Sequence, residues 1–259
     1  MGNIVEKQAF MPPGEQEVPT LLKCKATLYK VESESGFEIP ILVHRNDKGP
    51  GDYKEKFTII FSHGNAESIT LLDNFAAEIS EILNVNVVLY EYVGYPFSPG
   101  KPTEKNTYEA AEAVLRFVKE TLEVPENQIV LMGHSLGSGP SVHMALRGAG
   151  GLILVSPFCS AISVVLDSGV LSPFDIFKNL KKIHKVEVPT LILHGKNDEV
   201  ISYEHAKRLY EKLREDKGAK YKLVLIEEAG HNDIRTDFQD IFFPEIAGYL
   251  EFLEKKRDT

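Results

Sequence analysis

Ile129-Val130-Leu131-Met132-Gly133-His134-Ser135-Leu136-Gly137 is the stretch on which the fold is read. Four apolar residues predict a short buried strand, and the residues from Gly139 to Arg147 predict a helix. Between them stands a serine with a glycine two residues to either side. A serine on so sharp a strand-to-helix turn presents its hydroxyl above a sheet edge. The glycines remove Cβ atoms where the turn is crowded. Ser135 is therefore the candidate nucleophile, with a turn or helix-capping serine as the plainer alternative.

Outward from this turn, strands and helices alternate. Strands are expected over Thr20–Val31 and Phe37–His44, parted by Glu34-Ser35-Gly36, and then over Phe57–Phe61 and Asn86–Tyr90. Gln128–Met132, Leu152–Val155, Thr190–Leu193 and Tyr221–Ile226 complete the set. Leu71, Leu72, Phe75, Ile79, Ile82 and Leu83 recur at helical spacing. Further helices are expected over Tyr108–Leu122, Tyr203–Asp216 and Ile241–Lys256. The rhythm predicts an α/β fold, with a mostly parallel central sheet and helices on both faces. Residues 1–20, broken by Pro12-Pro13-Gly14 and Pro19, read as a lead-in segment, and 21–259 as a single domain. Within it, residues 158–188 form the main insertion, a small cap or a pocket-lining segment carrying Val164, Val165, Leu166, Val170, Leu171, Phe174, Ile176 and Phe177.

Composition narrows the function. The 259 residues hold 29 basic and 38 acidic side chains, a formal charge of -9 that argues against a broad nucleic-acid surface and against general attraction to anionic membranes. The two cysteines, Cys24 and Cys159, match no metal motif and point to a reducing, cytoplasmic setting. No apolar run reaches the roughly 20 residues that span a bilayer, and the N-terminus lacks the apolar core of a signal peptide. Met1-Gly2-Asn3 raises N-myristoylation of Gly2, although Glu6 stands where a small hydroxyl residue is usual. A lone myristoyl chain would give only weak, transient membrane association. No cofactor or metal is expected. His44, His184 and His205 lack companion ligands at metal spacing, and Gly133–Gly139 lacks the Lys-Ser/Thr ending of a phosphate loop.

A serine hydroxyl needs a base. His231, in Gly230-His231-Asn232-Asp233 beyond the last expected strand, is the best candidate. Asp198, in His194-Gly195-Lys196-Asn197-Asp198-Glu199 beyond the strand before it, is the best residue to orient that base. Glu199 and Asp233 are the nearby alternatives. All three candidates leave the same sheet edge, in the order Ser, Asp, His found in α/β-hydrolase triads. The backbone N–H groups of Leu136 and Asn65 are the candidate oxyanion donors, with Ala66 as the rival should the 62–66 loop sit one residue differently. His63 and His134 read as support for that loop and for the elbow. Tyr92, Tyr95, Phe97 and Phe158 are substrate-pocket candidates by their loop positions.

Six blocks in one order now carry a resemblance. They are Phe61-Ser62-His63-Gly64-Asn65-Ala66, Tyr90-Glu91-Tyr92-Val93-Gly94-Tyr95, Gly133-His134-Ser135-Leu136-Gly137, Ser156-Pro157-Phe158, the Asp198 block and the His231 block. Over about Leu21–Leu253 the chain resembles the α/β-hydrolase superfamily, closest to the Bem46-like and α/β-hydrolase domain 17 group. The resemblance implies a serine hydrolase with Ser135, Asp198 and His231 as its triad. It also implies an acyl ester or thioester substrate, with a palmitoylated protein as the specific case. Two departures stand out. No cysteine precedes Cys24, whereas domain 17 members carry an N-terminal cysteine-rich segment for membrane attachment, and Pro96 stands where the group commonly has glycine. A serine peptidase of the same fold and a catalytically silent partner-binding domain are the competing functions.

Overall fold

One eight-stranded sheet organises the chain in the computed structural model, which describes residues 9–14, 26–47, 53–166, 175–214 and 221–257. The strands are β1 (Thr27–Glu32), β2 (Glu38–His44), β3 (Thr58–Ser62), β4 (Asn86–Tyr90), β5 (Ile129–His134), β6 (Gly151–Val155), β7 (Thr190–Gly195) and β8 (Tyr221–Ile226). Their order across the sheet is β1-β2-β4-β3-β5-β6-β7-β8. β1 pairs antiparallel with β2, and β2 antiparallel with β4; every other pairing is parallel. The expected α/β-hydrolase fold, mostly parallel with covered faces, is the fold observed.

The burial pattern follows from the layers. β3, β5, β6 and β7 are buried at every position, as continuous apolar strands covered on both faces must be. β1 lies at one edge and exposes every other residue or more, Lys30 among them, which suits an edge facing water. Alternate residues of each inner strand feed separate cores. Ile60, Leu131, Leu152 and Leu154 pack with helices α2 (Glu104–Glu120), α3 (Ser138–Ala145) and α6 (Glu204–Arg214). Ile59, Phe61, Val130, Met132, Ile153 and Val155 pack with α1 (Asp73–Leu83) and α7 (Gln239–Arg257) on the other face.

The 158–188 insertion supplies two short helices, α4 (Ala161–Leu166) and α5 (Asn179–Lys182). Its residues 167–174, including Val170, Leu171 and Phe174, lie outside the described residues, as do Gly2, the rest of 1–8, and 15–25 with the start of the expected first strand.

Helix α2 begins four residues before the expected Tyr108. Thr103 is extended there, and its side chain accepts the Asn106 N–H at 3.1 Å. That N-cap starts the helix directly after the Pro/Gly-rich loop. The loops after β3, β5, β7 and β8 all leave the C-terminal edge of parallel strands, where open α/β sheets place their sites.

Candidate active site

Ser135 has φ +52, a left-handed conformation that side chains with a Cβ rarely adopt. Such strain persists only where the surroundings hold it, and two glycines let them do so. A Cβ on Gly133 would lie 2.4 Å from the Gly137 carbonyl oxygen. One on Gly137 would lie 1.9 Å from that of Ser62. The elbow is therefore packed backbone to backbone against the end of β3.

A hydrogen-bonded chain runs from the serine. His231 Nε2 is 3.0 Å from Ser135 Oγ, and His231 Nδ1 is 2.7 Å from Asp198 Oδ2. With Nδ1–H donated to the carboxylate, Nε2 is left as acceptor for the serine hydroxyl. Asp198 has a fully buried side chain. Its Oδ1 accepts the N–H groups of Val200 at 2.9 Å and Ile201 at 2.7 Å, and His194 Nε2 stands 3.1 Å from Oδ2. Burial pushes this carboxyl up, but the bonds from His194, His231 and Ile201 outweigh it and hold it well below the usual carboxylate range. The two loops are joined by backbone. The N–H of Lys196 reaches the Ile226 carbonyl at 2.8 Å, and that of Asn197 the Ala229 carbonyl at 2.9 Å. Gly195 permits the approach, since a Cβ there would lie 2.1 Å from the Ala229 oxygen. Of the two alternatives to Asp198, Asp233 instead accepts the Gly230 N–H at 2.7 Å and so shapes the histidine loop.

The 62–67 loop is held from behind. His63 Nδ1 lies 2.8 Å from the Gly64 carbonyl and Nε2 2.9 Å from Glu91. Burial pushes this imidazole down, but Glu91 outweighs it and raises it above its ordinary value. The Tyr92 hydroxyl donates to the His63 carbonyl at 2.7 Å, and the Tyr95 hydroxyl to Asn65 Oδ1 at 2.6 Å. Glu67 accepts the Gly64 N–H at 2.5 Å and pairs with Arg235 at 2.5 Å. Burial raises this carboxyl, and the Arg235 guanidinium overrides that to hold it well below the usual range. His134 lies between the loops, its Nε2 3.3 Å from the His231 carbonyl. Burial, with Arg235 nearby, pushes its imidazole down to about 4, so it is neutral.

A pocket of about 730 Å³ opens over Ser135 and His231, within the range of small-molecule sites. Asn65, Leu136 and Phe158 line it, together with Ala161, Ile162 and Val164 of α4. The structure sets Tyr92, Tyr95 and Phe97 outside that lining. Tyr92 and Tyr95 are buried beneath the 62–67 loop, because each phenol finds its partner there, and Phe97 is 49% exposed on the surface. Sequence reasoning missed His194, Glu67, Arg235 and the pocket contacts of Ala9 and Met11. Only His194 had a signal, four residues before Asp198 in the same block. Among the described residues no cluster of His, Cys, Asp or Glu could hold a metal ion, and no helix is long and apolar enough to cross a membrane. The arrangement can move a proton from a hydroxyl to a partly buried imidazole beside an apolar cavity.

The model of the phospholipase/carboxylesterase family matches residues 54–243. The chain is 36% identical over 252 residues to alpha/beta hydrolase domain-containing protein 17B of Homo sapiens, spanning 90% of this chain and 86% of that one. It is 37% identical over 202 residues to the 17C protein of Xenopus tropicalis, spanning 77% and 61%. In fold it is similar to the Pyrococcus furiosus esterase Pf2001, with a TM-score of 0.74 at 14% identity over 95% of this chain and 98% of that one.

Proposed function

The chain belongs to the α/β-hydrolase superfamily, among the relatives of the domain 17 proteins, and as a hydrolase of that family we propose that it cleaves acyl esters or thioesters with Ser135 as nucleophile. The observation that carries this reading is the unbroken hydrogen-bonded chain Ser135–His231–Asp198 opening into an apolar pocket.

His231 takes the Ser135 proton as the hydroxyl attacks the acyl carbonyl. Asp198 fixes the tautomer and stabilises the imidazolium that forms. The N–H groups of Leu136 and Asn65 receive the developing oxyanion, a role worth about 10²–10³ in turnover for each donor. His231 then protonates the departing alcohol or thiol. Water, deprotonated by the same imidazole, releases the acid and restores Ser135. Phe158, Ala161, Ile162 and Val164 receive the acyl chain, each buried methylene contributing about 0.8 kcal/mol. A pocket so apolar favours long chains, and a palmitoyl thioester on a protein cysteine is the specific substrate we infer. The cavity next to Ser135 supports an acyl group better than a peptide, since the one carboxylate in its lining, Glu67, is already paired with Arg235.

The test is a substrate panel: a palmitoyl-cysteine peptide, matched butanoyl and dodecanoyl 4-nitrophenyl esters, and a peptide amide. Turnover of the thioester and esters, lost in Ser135→Ala, is the expected result. Cleavage of the amide alone, or acyl turnover that survives Ser135→Ala, overturns it.

A further inference from the structure

The chemistry above asks nothing of the N-terminal stretch 9–14, yet that stretch reaches the pocket. Ala9 and Met11 are part of its lining. Phe10, between them, goes into the core, where it is 5% exposed. Its ring meets Tyr95 edge-on at 6.5 Å and Phe177 at 5.8 Å. The Met11 N–H donates to Asn65 Oδ1 at 2.7 Å, the oxygen that also accepts the Tyr95 hydroxyl. Three consecutive residues thus divide into an anchor and two wall residues, and one backbone bond fastens them to the loop carrying Asn65.

Resting on the acyl-hydrolase reading, we propose that Ala9–Met11 is a strap that walls the acyl site and sets its preference for chain length. Phe10 is the anchor and the Asn65 side chain is the clasp. Met11 is 59% exposed although it lines the pocket. A flexible thioether side chain in that position has apolar surface still to cover, and an acyl chain long enough to reach it covers it. Each methylene that leaves water on such a wall is worth about fourfold in affinity. A short acyl group that stays near Ser135 gains nothing from the strap.

The experiment uses the full chain with 4-nitrophenyl butanoate and dodecanoate. Met11→Ala, which keeps the backbone bond to Asn65, is expected to lower the dodecanoate-to-butanoate ratio of kcat/KM by about tenfold or more, with the butanoate value within about threefold of native. An equal fall for both esters means that the strap only supports the Asn65 loop, and an unchanged ratio means that it does not meet the chain; either overturns the proposal. A second measurement is independent of hydrolysis. The chain has no tryptophan, so Met11→Trp places its single tryptophan on the wall, read by selective excitation. In the Ser135→Ala background, hexadecanoate should shift its emission to the blue and butanoate should not. Unchanged emission through the hexadecanoate titration overturns the strap. If no ester is turned over but the shift appears, the hydrolase reading fails and the strap stands as a binding wall.

Discussion

Replacing Gly137 by alanine drives a methyl group into the backbone that joins the elbow to the end of β3. The added carbon would lie 1.9 Å from the Ser62 carbonyl oxygen, 2.5 Å from its carbon and 2.8 Å from the His63 oxygen. Non-bonded contact settles near 3.5 Å, so roughly 1.5 Å must open between two main-chain segments. No flexible side chain can yield instead. The backbone at Gly137 has φ -62, which alanine adopts readily, so the clash is steric and not conformational. The displaced parts are the ones the proposed mechanism aligns: Ser135 and the Leu136 N–H on one side, the His63–Asn65 loop on the other. A misplacement of about 1 Å costs on the order of 10²-fold, and a lost oxyanion donor about 10²–10³. Gly137→Ala should therefore lower kcat on butanoyl ester by 10²–10³, while overpacking lowers stability by about 1–3 kcal/mol. Steady-state kinetics at a temperature where circular dichroism shows a folded variant would measure both. A folded Gly137→Ala enzyme with kcat within about threefold of native refutes the claim that this contact sets the oxyanion geometry.

Gly248→Ala is the matching control: the site is exposed within α7 with nothing within 4 Å of the added Cβ. It should raise unfolding stability in urea by about 1 kcal/mol without changing activity; destabilisation would contradict the helix packing described. Asp198→Asn should keep the fold but lower kcat by about 10⁴, since the amide no longer enforces the His231 tautomer. A loss under tenfold points to another partner for His231. His134 titrates at about 4 in the folded chain against an ordinary 6.5. As pH falls, the unfolded chain takes up this proton first, so the neutral imidazole contributes fully above about pH 6.5 and its contribution is lost towards pH 4. The shift corresponds to about 3 kcal/mol. The stability advantage of the native chain over His134→Gln should shrink by that order between pH 7 and pH 4, and an advantage independent of pH contradicts a buried neutral His134.

The elbow could be read in the sequence because its determinants are local: a buried strand, a turn serine and two spaced glycines within nine residues. That Asp198 and His231 come together beside Ser135 was readable because each follows a strand and the sheet brings strand ends together. The supporting contacts are non-local and left no pattern. Glu67 and Arg235 are 168 positions apart, and Met11 and Asn65 are 54 apart. Pro12-Pro13-Gly14 interrupts regular structure and carries no sign that Phe10 is buried. Tyr92 and Tyr95 show a different limit. An aromatic residue after a strand suits a pocket wall or a loop support equally, and the partner of its hydroxyl decides between them. The start of α2 was hidden by its neighbours, because Thr103 caps the helix immediately after a proline.

The assignment of Ser135 as nucleophile is tested most directly by intact-mass analysis after treatment with a fluorophosphonate, in the native chain and in Ser135→Ala. The native protein should gain one adduct, mapped by peptide sequencing to Ser135, and the variant none. A folded native protein that gains no adduct, or an adduct retained in Ser135→Ala, contradicts the assignment.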